Sequence, residues 1–324
     1  MSSEFDLIAK YFTRATPDAA LGVGDDCALL VPSPGMQLAV SSDMLLEGRH
    51  FLPQDSPAGI GHKSLAVNLS DLAAMGATPR WATLSIALPE VNDAWLTAFA
   101  RGFFRMADLH GIELVGGDTT RGALTISITV IGEVPPGQAL RRDGAQAGDD
   151  IWVSGVLGSA AMAMAYRQGR LFMEQIDAAR VLPALYLPMP RVELGIALRG
   201  IAHSAIDISD GLLGDLGHIL ARSQVGAKSI GARLEFASLP TLPVVQGYLH
   251  EAVARDCVLA GGDDYELCFT APPAKRDRVL DAANDAGISV TRIGQITAEA
   301  GLTVIGADGH PLIIEHTGYD HFAA

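Results

Sequence analysis

Aspartates set among glycines and serines constrain this chain more than any other feature. Asp25-Asp26 follows Gly22-Val23-Gly24, and Asp43 closes the strand-like run 38–42 just after Ser41 and Ser42. Asp71 lies inside the apolar run 65–75, and Asp118 follows Gly116-Gly117. Asp207 and Asp210 bracket Ile208-Ser209, and Asp263-Asp264 follows Gly261-Gly262. A hydrophobic core has no use for carboxylates, which are costly to bury without partners. Glycine lets a backbone or a phosphate approach closely, and aspartate holds a hard cation through oxygen. Together they suggest a site for a polyphosphate carried by several Mg²⁺ ions.

The rest of the composition narrows the class. At 324 residues the length is a soft prior for two domains. With 49% hydrophobic and 19% charged residues, the chain can fill real cores and is not a disordered sequence. The net charge of −14 argues against nucleic acid or an anionic membrane as partner, since either wants a basic patch. Cys27, Cys257 and Cys268 are scattered, with neither a disulfide framework nor zinc spacing. They read as reduced thiols in a cytoplasmic protein. The N-terminal ten residues carry Glu4 and Asp6 and no apolar stretch of signal length. The longest apolar-rich run, 151–166, contains Gly155 and Gly158 and is short for a membrane span.

Periodicity places the motifs on elements. Residues 61–76 read as a helix in which Leu65, Leu69 and Leu72 form the buried stripe, with Asn68 and Asp71 together on its flank. A strand is expected at 81–88. A helix then follows, capped by Asp93 and striped by Leu96, Phe99, Phe103 and Met106, with Gly111 as its stop. Strands are expected at 112–115 and 124–131, with 116–122 as the loop between them. Pro135-Pro136-Gly137 and the polar stretch 141–150 form the best linker. The second half alternates further strands, at 151–154, 265–270, 290–293 and 302–305, with helices at 158–168, 191–199, 212–222, 244–254 and 276–286. The expected class is α+β, with two mixed domains, 1–138 and 139–324.

Taken singly, most of these pieces have a bland reading. Gly22-x-Gly24 is an ordinary turn, and it fits neither the Walker A loop nor the Rossmann fingerprint. Ser41-Ser42-Asp43 suits a strand end, and His50 beside Phe51 suits a surface. Ser209 or Asp210 would simply cap the helix at 212. Gly116-Gly117-Asp118-Thr119-Thr120-Arg121-Gly122 fits a hairpin as well as a phosphate loop, and Arg141-Arg142 fits solvated charge as well as an anion site. Asp71 is the position hardest to explain structurally, with Lys63 two helical turns back as its possible ion-pair partner. Six such pieces in one chain favour the metal–phosphate reading.

Read in order, four motifs carry a resemblance. They are Gly-Val-Gly-Asp-Asp-Cys-Ala at 22–28, Asn-Leu-Ser-Asp-Leu-Ala-Ala-Met-Gly-Ala at 68–77, Gly-Gly-Asp-Thr-Thr-Arg-Gly at 116–122 and Gly-Tyr-Asp-His-Phe at 318–322. With them, nearly the whole chain resembles the thiamine-monophosphate kinases, in the superfamily that includes aminoimidazole ribonucleotide synthetase. The resemblance implies an N-terminal domain that pairs its sheet across a homodimer and a C-terminal α+β domain that covers the site. It implies Mg²⁺ ligation by Asp26, Ser41, Ser42, Asp43, Asp71, Asp118, Asp207 and Asp210. It also implies ATP contacts at Gly117, Asp118, Arg142 and Ser209, and thiamine phosphate contacts at His50, Asp263 and Tyr319. Asp263 stands where the family usually has glutamate, which keeps the charge and shortens the reach.

The implied reaction is ATP-dependent conversion of thiamine monophosphate to thiamine diphosphate, a step of thiamine diphosphate biosynthesis. The acceptor is itself a phosphate and needs no strong base, which fits the absence of any nucleophile–His–acid triad. Direct in-line transfer without a covalent phospho-enzyme is expected. A selenide-using relative would want a reactive cysteine beside a lysine, and Cys27 has no lysine near it. A calcium-stabilised structural domain would want EF-hand spacing, which these loops lack.

Overall fold

The computed structural model describes residues 4–224, 229–314, 316 and 318. These form two compact units, one running to Leu72 and over Ala77–Gly137, the other comprising Ala73–Gly76 and the chain from Gln138 onward.

The first unit opens with a short helix, α1 (Glu4–Leu7), and a small ribbon, β1 (Ala19–Leu21) and β2 (Leu29–Leu30). Then come β3 (Gln37–Leu46), α2 (Pro57–Ala74), β4 (Thr78–Leu88), α3 (Asp93–His110), β5 (Glu113–Arg121) and β6 (Thr125–Val134). The four long strands make one sheet in the order β3-β6-β4-β5. β4 and β5 run parallel, so the chain needs a crossover between them, and α3 supplies it. The expected stripe on α3 is buried, and Trp95, Phe99 and Phe103 stack along it. Its cap is Asn92, whose side chain accepts the Trp95 N–H at 3.0 Å, one residue before the expected Asp93. Asp93 instead accepts from the Tyr11 hydroxyl and pairs with Lys10. α2 is buried nearly all round rather than on one stripe, with Lys63, Ser64, Asn68 and Ser70 among its buried residues.

One expected loop is a strand. Residues 116–121 continue β5, paired in register with Thr83–Leu88 of β4 after a bulge at Ala82/Thr83. Two adjacent glycines weakened the strand signal, yet Gly117 is there for packing. Its φ is +145°, and a Cβ would sit 1.8 Å from the Leu84 carbonyl oxygen.

The second unit contains β7 (Asp150–Ser154), α4 (Ser159–Arg167), α5 (Gln175–Tyr186), α6 (Val192–Ala197), β8 (Ser204–Asp207), α7 (Leu212–Arg222) and β9 (Gly231–Glu235). It continues with α8 (Pro243–Tyr248), α9 (Ala252–Ala260), β10 (Leu267–Ala271), α10 (Arg276–Asp285), β11 (Val290–Thr297) and β12 (Gly301–Ile305). Its sheet has six strands in the order β12-β9-β11-β7-β10-β8. Its core joins Ile151, Val153, Met162, Val181, Ile206, Leu216, Ile219 and Val258. The single helix expected over 244–254 is two, because the turn at Leu249–Glu251 ends α8 before α9 begins. Among the described residues no helix is long and apolar enough to cross a membrane.

Helices α2 and α3 touch backbone to backbone. A Cβ on Gly61 would meet the Phe99 carbonyl oxygen at 2.1 Å, and one on Gly102 would meet the Ala58 carbonyl oxygen at 1.9 Å. Backbone cannot rotate aside as a side chain can. Gly102→Ala is therefore expected to cost about 3 kcal/mol or more, read as a fall in the urea midpoint of the purified variant. A midpoint equal to that of the parent chain would refute the close approach.

Candidate functional site

In the first unit, two of the candidate carboxylates, Asp43 and Asp71, stand where β3 faces α2. Side chains alternate along β3, so Ser41 and Asp43 point to the helix face. The Ser41 hydroxyl donates to Asp71 Oδ2 at 2.5 Å. The Asp43 backbone N–H donates to Asn68 Oδ1 at 2.9 Å, and Asn68 Nδ2 donates to the Ser64 carbonyl at 2.9 Å. Asn68 is fully buried and clamps the strand to the helix, one turn from Asp71. Thus the flank of α2 singled out by periodicity does carry a polar pair against β3.

Ser42 and Asp118 lie elsewhere. Ser42 projects from the other face of the sheet, where it accepts from the Thr129 hydroxyl at 3.0 Å and donates to the Ile128 carbonyl at 3.1 Å. The row Met44–Ser127–Ser85–Asp118 places Asp118 on that same outward face. Asp43 belongs to the neighbouring row, with Ile128, Leu84 and Gly117. Asp118 is on the opposite edge strand, three strand spacings or about 14 Å across the sheet from β3. Within one chain, Asp118 and Asp43 thus stand on opposite faces and opposite edge strands of the sheet. Asp26 is exposed in the loop after β1, its N–H bonded to the Asp25 carboxylate at 2.9 Å. His50 sits in the turn after β3, where its Nδ1 accepts the Leu46 N–H at 3.0 Å, so the neutral ring carries its proton on Nε2.

In the second unit, two loops are laced together. The loop 208–211 follows β8, and the loop 261–266 follows α9. Ile208 N–H donates to the Glu266 carbonyl at 2.7 Å, Tyr265 N–H to the Ile208 carbonyl at 2.8 Å and Asp263 N–H to the Ser209 carbonyl at 2.9 Å. A Cβ on Gly262 would fall 2.3 Å from the Ser209 carbonyl oxygen, so the lacing requires glycine there. Asp207, Ser209, Asp210 and Asp263 are thereby brought together. Asp263 and Tyr265 hold left-handed φ values of 70° and 50°, a strain that concentrates at functional sites. The Tyr265 hydroxyl donates to Asp263 Oδ1 at 2.9 Å.

The structure separates Asp263 from its acidic neighbours. Glu266 is buried and holds a bidentate ion pair with Arg191, along with the Ser154 hydroxyl at 2.6 Å. Asp264 is half-buried as a residue, but its carboxylate turns inward and accepts the Gly158 N–H at the start of α4. Burial pushes that carboxyl well above the usual range, against the pull of the backbone donors. Neither Ser209 nor Asp210 caps α7 through its side chain. Asp215 reaches back instead, and burial pushes its carboxyl up to about 7. Arg142 is exposed near the start of this unit, its carbonyl accepting the Ser223 hydroxyl at 3.0 Å. Tyr319 lies outside the described residues.

The donors assembled in both units are carboxylate and hydroxyl oxygens, a set that suits a hard divalent cation and not a soft one. Among the described residues, no three His, Cys, Asp or Glu side chains are already grouped as a complete cation site. The donor chemistry fits Mg²⁺, and ligands supplied by phosphate oxygens and water would complete the coordination.

Comparison with known proteins follows the same division of the chain. Residues 24–134 match the family described as AIR synthase related protein, N-terminal domain, and residues 146–307 its C-terminal domain. The thiamine-monophosphate kinase of Escherichia coli (strain K12) is 46% identical over 325 residues, covering 99% of this chain and 98% of the relative. The crystal structure of thiamine-monophosphate kinase from Stenotrophomonas maltophilia K279a superposes with a TM-score of 0.83 at 48% identity, covering 94% of this chain and 95% of that one. A structure of AaThiL complexed with AMPPCP and TMP gives a TM-score of 0.76 at 28% identity, over 98% of this chain and 97% of that one.

The Asp264 geometry has a pH signature. Its folded pKa is raised, so the native state binds the proton more tightly than the unfolded chain, whose carboxyl titrates near 3.8. The contribution is full below that value and is lost as pH rises toward the folded pKa. Asp264→Asn keeps an acceptor for the Gly158 N–H and removes the charge. The melting temperature of the variant relative to the parent is expected to climb as pH is raised from about 4. A difference that does not change with pH would contradict the buried carboxylate.

Proposed function

Since this chain belongs to the thiamine-monophosphate kinase family of AIR synthase related proteins, we propose that it phosphorylates thiamine monophosphate with ATP by direct in-line transfer. A terminal oxygen of the acceptor phosphate bonds to the γ-phosphorus as the bond to the β–γ bridging oxygen breaks. ADP leaves with that electron pair, and thiamine diphosphate remains. The second ionisation of a phosphate monoester lies near pKa 6, so at neutral pH the acceptor already carries its charge. The chemistry therefore needs alignment and relief from repulsion between phosphates rather than a general base. The observation that carries this reading is the all-oxygen donor set, Ser41–Asp71 with Asp43 in one unit and Asp207 with Asp210 in the other.

Bound Mg²⁺ supplies charge neutralisation at the phosphate oxygens. Asp43 and Asp71 are its holders in the first unit, with Ser41 fixing the Asp71 carboxylate. Asp207 and Asp210 are its holders in the second. Asp118 serves a separate position from Asp43, on the outward face with Ser42, and Asp26 adds an exposed carboxylate. Arg142 offers a guanidinium to phosphate, Ser209 a hydroxyl and Gly117 its backbone to the nucleotide. His50, Asp263 and Tyr319 serve the thiamine phosphate. The Nε2–H of His50 can donate to an anionic oxygen, and Asp263, on its left-handed backbone, offers a carboxylate to a cationic ring. Asp71→Asn removes a charge but keeps an oxygen that accepts the Ser41 hydroxyl. It is expected to lower thiamine diphosphate formation about a hundredfold while leaving the melting temperature close to that of the parent. Full activity in that variant, or a labelled covalent phospho-protein formed during turnover, would overturn the mechanism.

A cytosolic homodimer completes the proposal. Leu38, Val40, Met44 and Leu46 are 45%, 63%, 53% and 39% exposed and alternate onto the outward face of an edge strand. An exposed apolar stripe on a sheet edge is the kind of surface that a second copy covers. The double substitution of Val40→Glu with Met44→Glu is expected to turn a dimeric chain monomeric in sedimentation velocity. A parent chain that sediments as a monomer at micromolar concentration would rule the dimer out.

A further inference from the structure

Every backbone N–H of the loop 208–211 is already engaged. Ile208 donates to the Glu266 carbonyl at 2.7 Å. Ser209, Asp210 and Gly211 each donate to the same atom, Asp215 Oδ2, all at 3.1 Å. Three successive amides converging at the start of a helix form the nest that usually takes a phosphate. Here the chain fills it with its own carboxylate, from a residue only 3% exposed. That arrangement has a consequence for the ligand. A phosphate at this loop meets side chains and no amides.

We infer that Asp215 is the positioning residue of this loop: by engaging the three amides it fixes the backbone from which Asp207, Ser209 and Asp210 present their side chains. The inference rests on the reading that these three side chains serve the nucleotide and its metal. Asp215 touches none of the reacting atoms. The same anchorage extends to the acceptor side, because the Ser209 carbonyl in turn receives the Asp263 N–H at 2.9 Å. An undistinguished aspartate in the first turn of α7 thus sets the backbone shared by both loops.

The test compares three variants of the full chain. Asp215→Ala opens the nest, Asp215→Asn keeps the shape with a neutral acceptor, and Asp210→Asn probes the ligand reading on its own. Opening the nest is expected to raise the KM for ATP at least about tenfold, with the KM for thiamine monophosphate changed less. Added formate, which can re-enter the nest, is expected to recover part of the ATP affinity in Asp215→Ala and none in Asp210→Asn. Hydrogen-exchange mass spectrometry is expected to find the amides of Ser209, Asp210 and Gly211 protected in the parent, fast in Asp215→Ala and intermediate in Asp215→Asn, which retains a neutral acceptor. If Asp210→Asn weakens ATP and neither Asp215 variant does, the positioning role is wrong and the ligand reading stands. If Asp210→Asn leaves ATP unaffected, the ligand reading falls and the inference with it. Fast exchange of the three amides in the parent chain also overturns the inference.

Discussion

Removing carboxylates from water is the constraint around which this structure is arranged. An ionised carboxylate in a low-dielectric interior is several kcal/mol unfavourable unless a cation or several donors meet it. This chain meets the demand in three ways. Asp150, fully buried, takes a bidentate bond from Arg276 and a further contact from Arg292. Glu266 takes Arg191 and Ser154. Asp215 and Asp264 have no arginine and take backbone amides instead, with their carboxyls pushed toward the neutral form. These four acids are occupied in holding the fold. By contrast, Asp43 lies within β3 on the face toward α2, Asp71 on the flank of α2, Asp207 buried at the end of β8 and Asp210 in the loop after it.

The distinction matters most around residue 263. Asp263, Asp264 and Glu266 lie within four residues and have different tasks. Glu266 anchors β10 to α6, and Asp264 anchors the start of α4. The left-handed backbone at 263 and 265 lets these two anchors and the outward Asp263 coexist in so short a segment. That strain is held by the bonds to Ser209 and Ile208, which in turn depend on the loop after β8. A glutamate at 263 would reach one methylene further. The aspartate here therefore places its charge closer to its own backbone, beside the Tyr265 hydroxyl.

The first unit shows how a sheet distributes adjacent residues. Ser41, Ser42 and Asp43 are neighbours in sequence and read as one oxygen cluster. In the strand they alternate, so Ser41 and Asp43 face α2 while Ser42 faces outward with Asp118. The glycine pair before Asp118 likewise reads as a loop, and tertiary contact makes it a strand. Gly117 leaves room for the Leu84 carbonyl, and the neighbouring parallel strand supplies the hydrogen-bonding partners.

The sequence by itself determined the class of the fold, the stripe of α3, the Asn68–Asp71 flank of α2 and the oxygen-rich chemistry. Each follows from local periodicity or residue type. It also carried the family, because the motifs are contiguous. Only the tertiary structure decided which acids are ties of the fold, since that depends on partners such as Arg191 and Gly158 far away in the chain. The part played by Asp215 shows the same limit. Its spacing from Ser209 resembles an unremarkable first-turn acid, and its task appears only once three amides are seen to point at one oxygen atom. Periodicity records which face a residue occupies, whereas its partners are set by the path of the backbone.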